Sequence, residues 1–188
     1  MPLPEKKFIR KDELDDVLRW LRTEPADERG YMLVLLSAAL GLRATEAVRA
    51  SKDWFRDLSS GWVWVRSAKQ RAEERPEDRL PIPPQIARDV KRYLAGLEGR
   101  WLFPGKTDEG HLSERQAFNI FSEACQAVGL GHKSFHALRH YRGFTVQSKK
   151  GDLDWTRRML RHKDAKVTQM YTERTPDEEQ DLAEEIGW

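Results

Sequence analysis

Three of the five histidines of this 188-residue chain fall between His136 and Tyr171. In SFHALRHYRGF, positions i, i+3 and i+4 of a helix share a face, so His136, Arg139 and His140 point the same way. Ser134 is the expected cap of that helix, and a helix N-terminus favours anions because its free N–H groups and dipole face them. Arginine supplies a planar fork matched to two phosphate oxygens, and histidine moves a proton near neutral pH. Downstream, Tyr171 stands nine residues after His162. A phenol that titrates near 10 is a weak nucleophile at neutral pH. Cations that stabilise its phenolate, together with the charge on a phosphorus under attack, make it a useful one. The ordinary uses of these residues, a solvated His–Arg helix face and a core tyrosine packed near Val167, remain alternatives at this point.

Metal binding is the other chemistry that histidines suggest. His132, His136 and His140 recur at i, i+4 and i+8, but the helical zinc motif of metalloproteases carries Glu directly after its first histidine. Ala137 follows His136 here, and Lys133, Arg139 and Arg142 would crowd a dication. No metal and no cofactor is expected.

These groups need a scaffold, and hydrophobic spacing sketches one. RKDELDDVLRWLR sets Leu14, Val17, Leu18 and Leu21 at helical intervals. ERGYMLVLLSAALGL reads as a buried helix stopped near Gly41, and ATEAVRA as a third helix with Thr45 as its cap. GWVWVRSA is β-branched and aromatic, KQRAEERPED is a polar turn, and RLPIP returns as a second strand. PPQIARDVKRYLAGL is a helix with Pro in its first turn, and HLSERQAFNIFSEACQAVGL another, capped by Ser113. Helical segments follow at 134–148, 152–161 and about 164–173, then an amphipathic piece, PDEEQDLAEEIGW. The fold class is mostly α with a small β-hairpin or three-stranded sheet, α+β in type.

Composition limits the function classes. The chain is 34% charged and 39% hydrophobic, which suits one soluble domain able to bury a core. Its longest apolar run, Met32 to Leu42, is too short to cross a bilayer, and no secretory h-region opens the chain. The single cysteine, Cys125, fits a reducing compartment, so a cytoplasmic protein without membrane contact is expected. Formal net charge is only +2, yet residues 131–166 hold ten Lys/Arg against three Asp/Glu, and residues 173–188 hold one Arg against seven Asp/Glu. A basic block followed by an acidic arm suggests a polyanion site and a separate tail.

Three segments together resemble one family. GLRATEAVRA resembles the first arginine box of tyrosine recombinases, the lambda-integrase-like or phage integrase family, with Arg43 at the arginine position and Glu46 at the acidic one. HALRHYRGF resembles their H-x-x-R box, and MLRHKDAKVTQMYTE their histidine–tyrosine box. The boxes come in order, with the hairpin between the first and second, and the resemblance covers about residues 10–173. It implies a site-specific recombinase or integrase that cuts and rejoins double-stranded DNA through a 3′-phosphotyrosine on Tyr171. It further implies that Arg43 and Arg139 clamp the phosphate, that His136 serves as base and then acid, and that His162 bonds a phosphate oxygen. Lys69, in the hairpin turn, would protonate the leaving 5′-oxygen, with Glu46 and His140 in support. Lys133, Arg142, Arg161 and Lys163 are the expected DNA contacts of the basic block. A type IB topoisomerase-like enzyme and a non-cleaving DNA-binding remnant are the alternatives.

The same resemblance implies self-association: a tetramer on paired DNA sites, and a monomer or weak oligomer in the free state. Residues 1–173 are expected to form the catalytic domain. Residues 174–188 are expected to form an acidic amphipathic tail, with Leu182, Ile186 and Trp188 poised to dock on a neighbouring subunit. Two positions depart from the family pattern: Arg161 replaces the usual glycine before the histidine, and Glu173 replaces the common histidine after the tyrosine. The family's separate N-terminal DNA-binding domain does not fit within the residues that precede Arg43.

Overall fold

The computed structural model describes residues 8–24, 27–66, 77–106 and 110–161. Helix α1 (Lys11–Thr23) turns Leu14, Val17 and Leu21 inward. Helix α2 (Glu28–Leu40) starts where Asp27 accepts from the Gly30 amide at 2.9 Å and stops at Gly41, whose φ is +60°. Its residues Met32, Leu33, Val34, Leu36, Ala38 and Leu40 are all buried. A helix apolar on nearly every side must be central, and α2 packs against α1, the short α3 (Ala44–Val48), α4 (Pro84–Ala95), α5 (Glu114–Ala127) and α6 (His136–Lys150). Each large apolar side chain buried in this way contributes about 1.5–3 kcal/mol. The buried Ser37 hydroxyl donates to the Leu33 carbonyl at 2.6 Å, so the core keeps no unsatisfied group there.

After α3 the chain makes two 3₁₀ turns, Lys52–Phe55 and Leu58–Ser60, and enters a hairpin. Strand β1 (Trp62–Arg66) pairs antiparallel with β2 (Glu77–Pro81), with Val63 opposite Leu80 and Val65 opposite Asp78. Val63, Val65 and Leu80 lie in the core, while Trp62 and Trp64 flank the Arg79 guanidinium on the other face. Helices α6 and α7 (Leu153–Leu160) pack together, and α6 also rests on α2. A small satellite core of Phe8, Phe144 and Leu160 sits beside them, with the two rings edge to face at 5.3 Å.

Local chemistry departs from the sequence expectation in three places. Arg43, not Thr45, is the N-cap of α3, because Glu46 reaches back to the Arg43 amide at 2.9 Å. Ser134 does not cap α6. Phe135 takes that place, the Ala137 amide bonds the Ser134 carbonyl at 2.8 Å, and the buried Ser134 hydroxyl has no partner. Strand β2 begins at Glu77 rather than Arg79, since Glu77 is held by Arg66 at 2.5 Å and by Arg56. Among the described residues the sheet has two strands. The expected helices at 164–173 and in the acidic tail lie outside the described residues.

Candidate active site

Gly41 ends α2 in a left-handed turn, and two residues later Arg43 is extended at the start of α3. Glu46, one turn into α3, is 1% exposed. Its carboxylate accepts the Arg43 amide, and Oε1 accepts Arg43 Nη1 at 2.8 Å. The Arg43 side chain stays 22% exposed, so a donor-rich edge still reaches solvent.

Arg139 arrives at the same corner from α6. It is 2% exposed, donates from Nη1 to the Gly41 carbonyl at 2.6 Å, and donates from Nη2 to the Leu160 carbonyl. Those carbonyls belong to the C-terminal ends of α2 and α7, where the helix dipole is negative and suits a buried cation. Two arginines 96 positions apart in the sequence thus meet around one turn. His136 opens α6 and is exposed, and its ring lies edge to face with that of His140 at 5.5 Å. His140 is 7% exposed, so it supports the face rather than presenting it.

Arg161 behaves differently from its expected role as a DNA contact. It caps α7 with φ 55° and ψ 43°, the left-handed region that usually costs a side-chain residue roughly 1–2 kcal/mol. Its side chain is 5% exposed and turns inward, donating from Nη2 to Glu46 Oε2 at 2.6 Å and from Nη1 to the Leu40 carbonyl at 3.1 Å. In this arrangement its guanidinium is engaged by acceptors of the protein itself. The Lys133 side chain is 8% exposed and faces Glu13 of α1 at 3.9 Å, an internal tie. Arg142 stands beside the same turn. It is half-buried against Gly41, its Nε has no hydrogen-bond partner, and desolvation lowers its pKa.

Electrostatics follow from this crowding. Burial works to raise the Glu46 pKa, but Arg161 and Arg43 outweigh it and hold the carboxyl below its ordinary value of 4.5. Asp78 is half-buried on the inner face of β2, and its pKa is raised by burial, with Arg161, Glu46 and Arg43 all within its field. Sequence reading missed Asp78. The signal was there in the alternation of β2, where a carboxylate occupies an inward position two residues from Leu80. His132 lies in the loop before α6 and bonds Ser122 Oγ at 2.9 Å, so the i, i+4, i+8 histidine series is not realised on one helix. Lys69, His162, Lys163 and Tyr171 lie outside the described residues.

Residues 7–178 match the family described as the Phage integrase family. The chain belongs to the phage integrase family. One curated relative, tyrosine recombinase XerA of Thermococcus kodakarensis, is 27% identical over 180 residues, which cover 93% of this chain and 61% of the relative. The crystal structure of XerA recombinase shares the fold with a TM-score of 0.78 at 19% identity, over 100% of this chain and 65% of that one. The XerH site-specific recombinase, in a pre-cleavage complex with its difH substrate, gives 0.73 at 19% identity, over 95% of this chain and 53% of that one. The phage integrase chain described here therefore spans about three fifths of the length of the curated relative. Its fold is that of the tyrosine recombinase catalytic domain, mostly helical with one small antiparallel sheet.

Proposed function

We propose that the chain carries the cutting and rejoining chemistry of a site-specific DNA recombinase, acting on double-stranded DNA. One observation carries most of this reading: Arg139 bonds the carbonyl of Gly41, two residues from Arg43, so the two arginine boxes share one corner of the fold. Nothing in an isolated helix asks for that convergence, whereas a phosphate held from two sides does.

In the proposed reaction the Tyr171 hydroxyl attacks phosphorus and loses its proton to His136. Arg43 and Arg139 take up the charge that grows on the non-bridging oxygens, with His162 bonding one of them. The bond from phosphorus to the 5′-oxygen breaks, and Lys69 supplies that oxygen with a proton. The phosphotyrosine keeps the energy of the broken bond, and attack by an incoming 5′-hydroxyl runs the steps backwards. Only protein groups are required. Glu46 orients Arg43, and His140 supports His136.

Arg142 and Lys163 serve as backbone contacts. Assembly as a tetramer on paired sites, with residues 174–188 docking on a neighbour, belongs to the same reading. A plasmid carrying two target sites tests it. Exchange between the sites is expected, and relaxation of supercoils without exchange would favour a topoisomerase-like activity instead.

A further inference from the structure

On the cleavage reading above, we propose that Arg161 is a positioning residue that acts through Glu46 to keep the charge of Arg43 available to the scissile phosphate. Glu46 has two carboxylate oxygens and two guanidinium partners. Arg43 Nη1 takes Oε1 at 2.8 Å, and Arg161 Nη2 takes Oε2 at 2.6 Å. Without Arg161, a buried carboxylate facing a single arginine closes into a bidentate pair that is neutral as a unit and uses the same fork a phosphate needs. With Arg161 in place, two cations share one anion. Arg43 is held by one Nη and its own amide, and the cluster keeps a net positive charge.

The geometry singles out Arg161 from the other cations of the corner. Arg139 is engaged by the carbonyls of Gly41 and Leu160, and Arg142 lies against Gly41. The side chains described as paired with Glu46 are those of Arg43 and Arg161. Arg161 also bonds the carbonyls of Leu40, Met159 and Gly41, joining the end of α7, the residue before His162, to the turn that carries Arg43. It does so from a left-handed backbone that a glycine would adopt freely, so a side chain is kept there against conformational preference.

The test uses the full chain and a nicked suicide duplex, with single-turnover cleavage at saturating DNA read against pH, beside DNA affinity and thermal unfolding. The variants are Arg161→Gly, Arg161→Lys, Glu46→Gln and the double variant Arg161→Gly/Glu46→Gln. Arg161→Gly is expected to unfold cooperatively and bind DNA nearly as the parent does. It is expected to cleave roughly tenfold or more slowly, the scale of one charge-assisted hydrogen bond. Its deficit should shrink as pH falls and Glu46 takes up a proton, because a neutral carboxyl no longer cancels the charge of Arg43. Arg161→Lys should recover part of the rate. In the Glu46→Gln background, Arg161→Gly should add little further loss. Wild-type cleavage by Arg161→Gly, equal defects in the Gly and Lys variants, independent losses in the cycle, or a Gly variant that fails to fold would each overturn the assignment. Absence of any adduct with the parent chain would instead sink the cleavage reading itself.

Discussion

Arg139 donates from Nη1 to the carbonyl of Gly41 at 2.6 Å, which places a fully buried cation at the C-terminus of the central helix. The bond spans 98 positions of sequence and fixes α6 to the turn that carries Arg43. Arg139→Lys keeps the charge but loses the planar fork that serves two carbonyls at once. Cleavage at saturating DNA should fall by about 10²–10³-fold, the scale for one pre-organised donor to a transition state. DNA affinity should fall far less, and equal losses in both would mark an ordinary backbone contact.

Gly41 itself should resist substitution. Its φ is +60°, and an added Cβ would sit 2.8 Å from Leu160 Cδ2 and 3.2 Å from Arg142 Cγ. The left-handed backbone alone costs a side-chain residue roughly 1–2 kcal/mol. Gly41→Ala should therefore lower the unfolding free energy read from urea titration by at least that amount, and a neutral substitution would mean that the turn is looser than described.

Glu46 sets a stability window in acid. Its pKa is depressed in the folded chain, so its contribution is fully present above the ordinary value of 4.5 and is lost as pH falls through the lower folded value. Urea unfolding of the parent chain, followed downward from neutral pH, should show a loss below that point which is smaller in Glu46→Gln. If the two curves stay parallel throughout, Glu46 is not depressed in the folded state.

Much of this corner was legible in the sequence, and the reasons for the gaps are local. Arg43 and Glu46 are three residues apart, so helix geometry alone pairs them. Asp27, Ser113 and the Pro-started α4 obey short-range capping rules as well. The inward turn of Arg161 was not legible, because it depends on a left-handed backbone and on carbonyls of a helix 120 positions earlier. Lys133 looked like one more member of a basic block until Glu13, from the other end of the chain, was seen beside it. Ser134 failed as a cap because the buried Phe135 draws the chain into a tight turn whose carbonyl takes the amide that the hydroxyl was expected to take.

DNA affinity separates the cations by burial. The chain should bind random duplex with a dissociation constant on the order of 10⁻⁴–10⁻⁶ M near physiological salt. Arg142→Ala should weaken binding evenly across sequences and reduce the salt slope by about one. Lys133→Ala should leave the slope unchanged and reduce stability instead. A salt titration with fluorescent duplexes reads both, and a changed slope in Lys133→Ala would return that residue to the DNA face.

The central claim is that Tyr171 becomes covalently joined to DNA in a site built by Arg43, Arg139 and His136. Incubation of the chain with a nicked suicide duplex, followed by denaturing electrophoresis, reads this directly. The parent chain should give a protein–DNA band that forms with EDTA present. Tyr171→Phe lacks only one hydroxyl and should give none while binding DNA as before. A covalent band from Tyr171→Phe at the parent rate, or a band that vanishes in EDTA and returns with added zinc or magnesium, would contradict it.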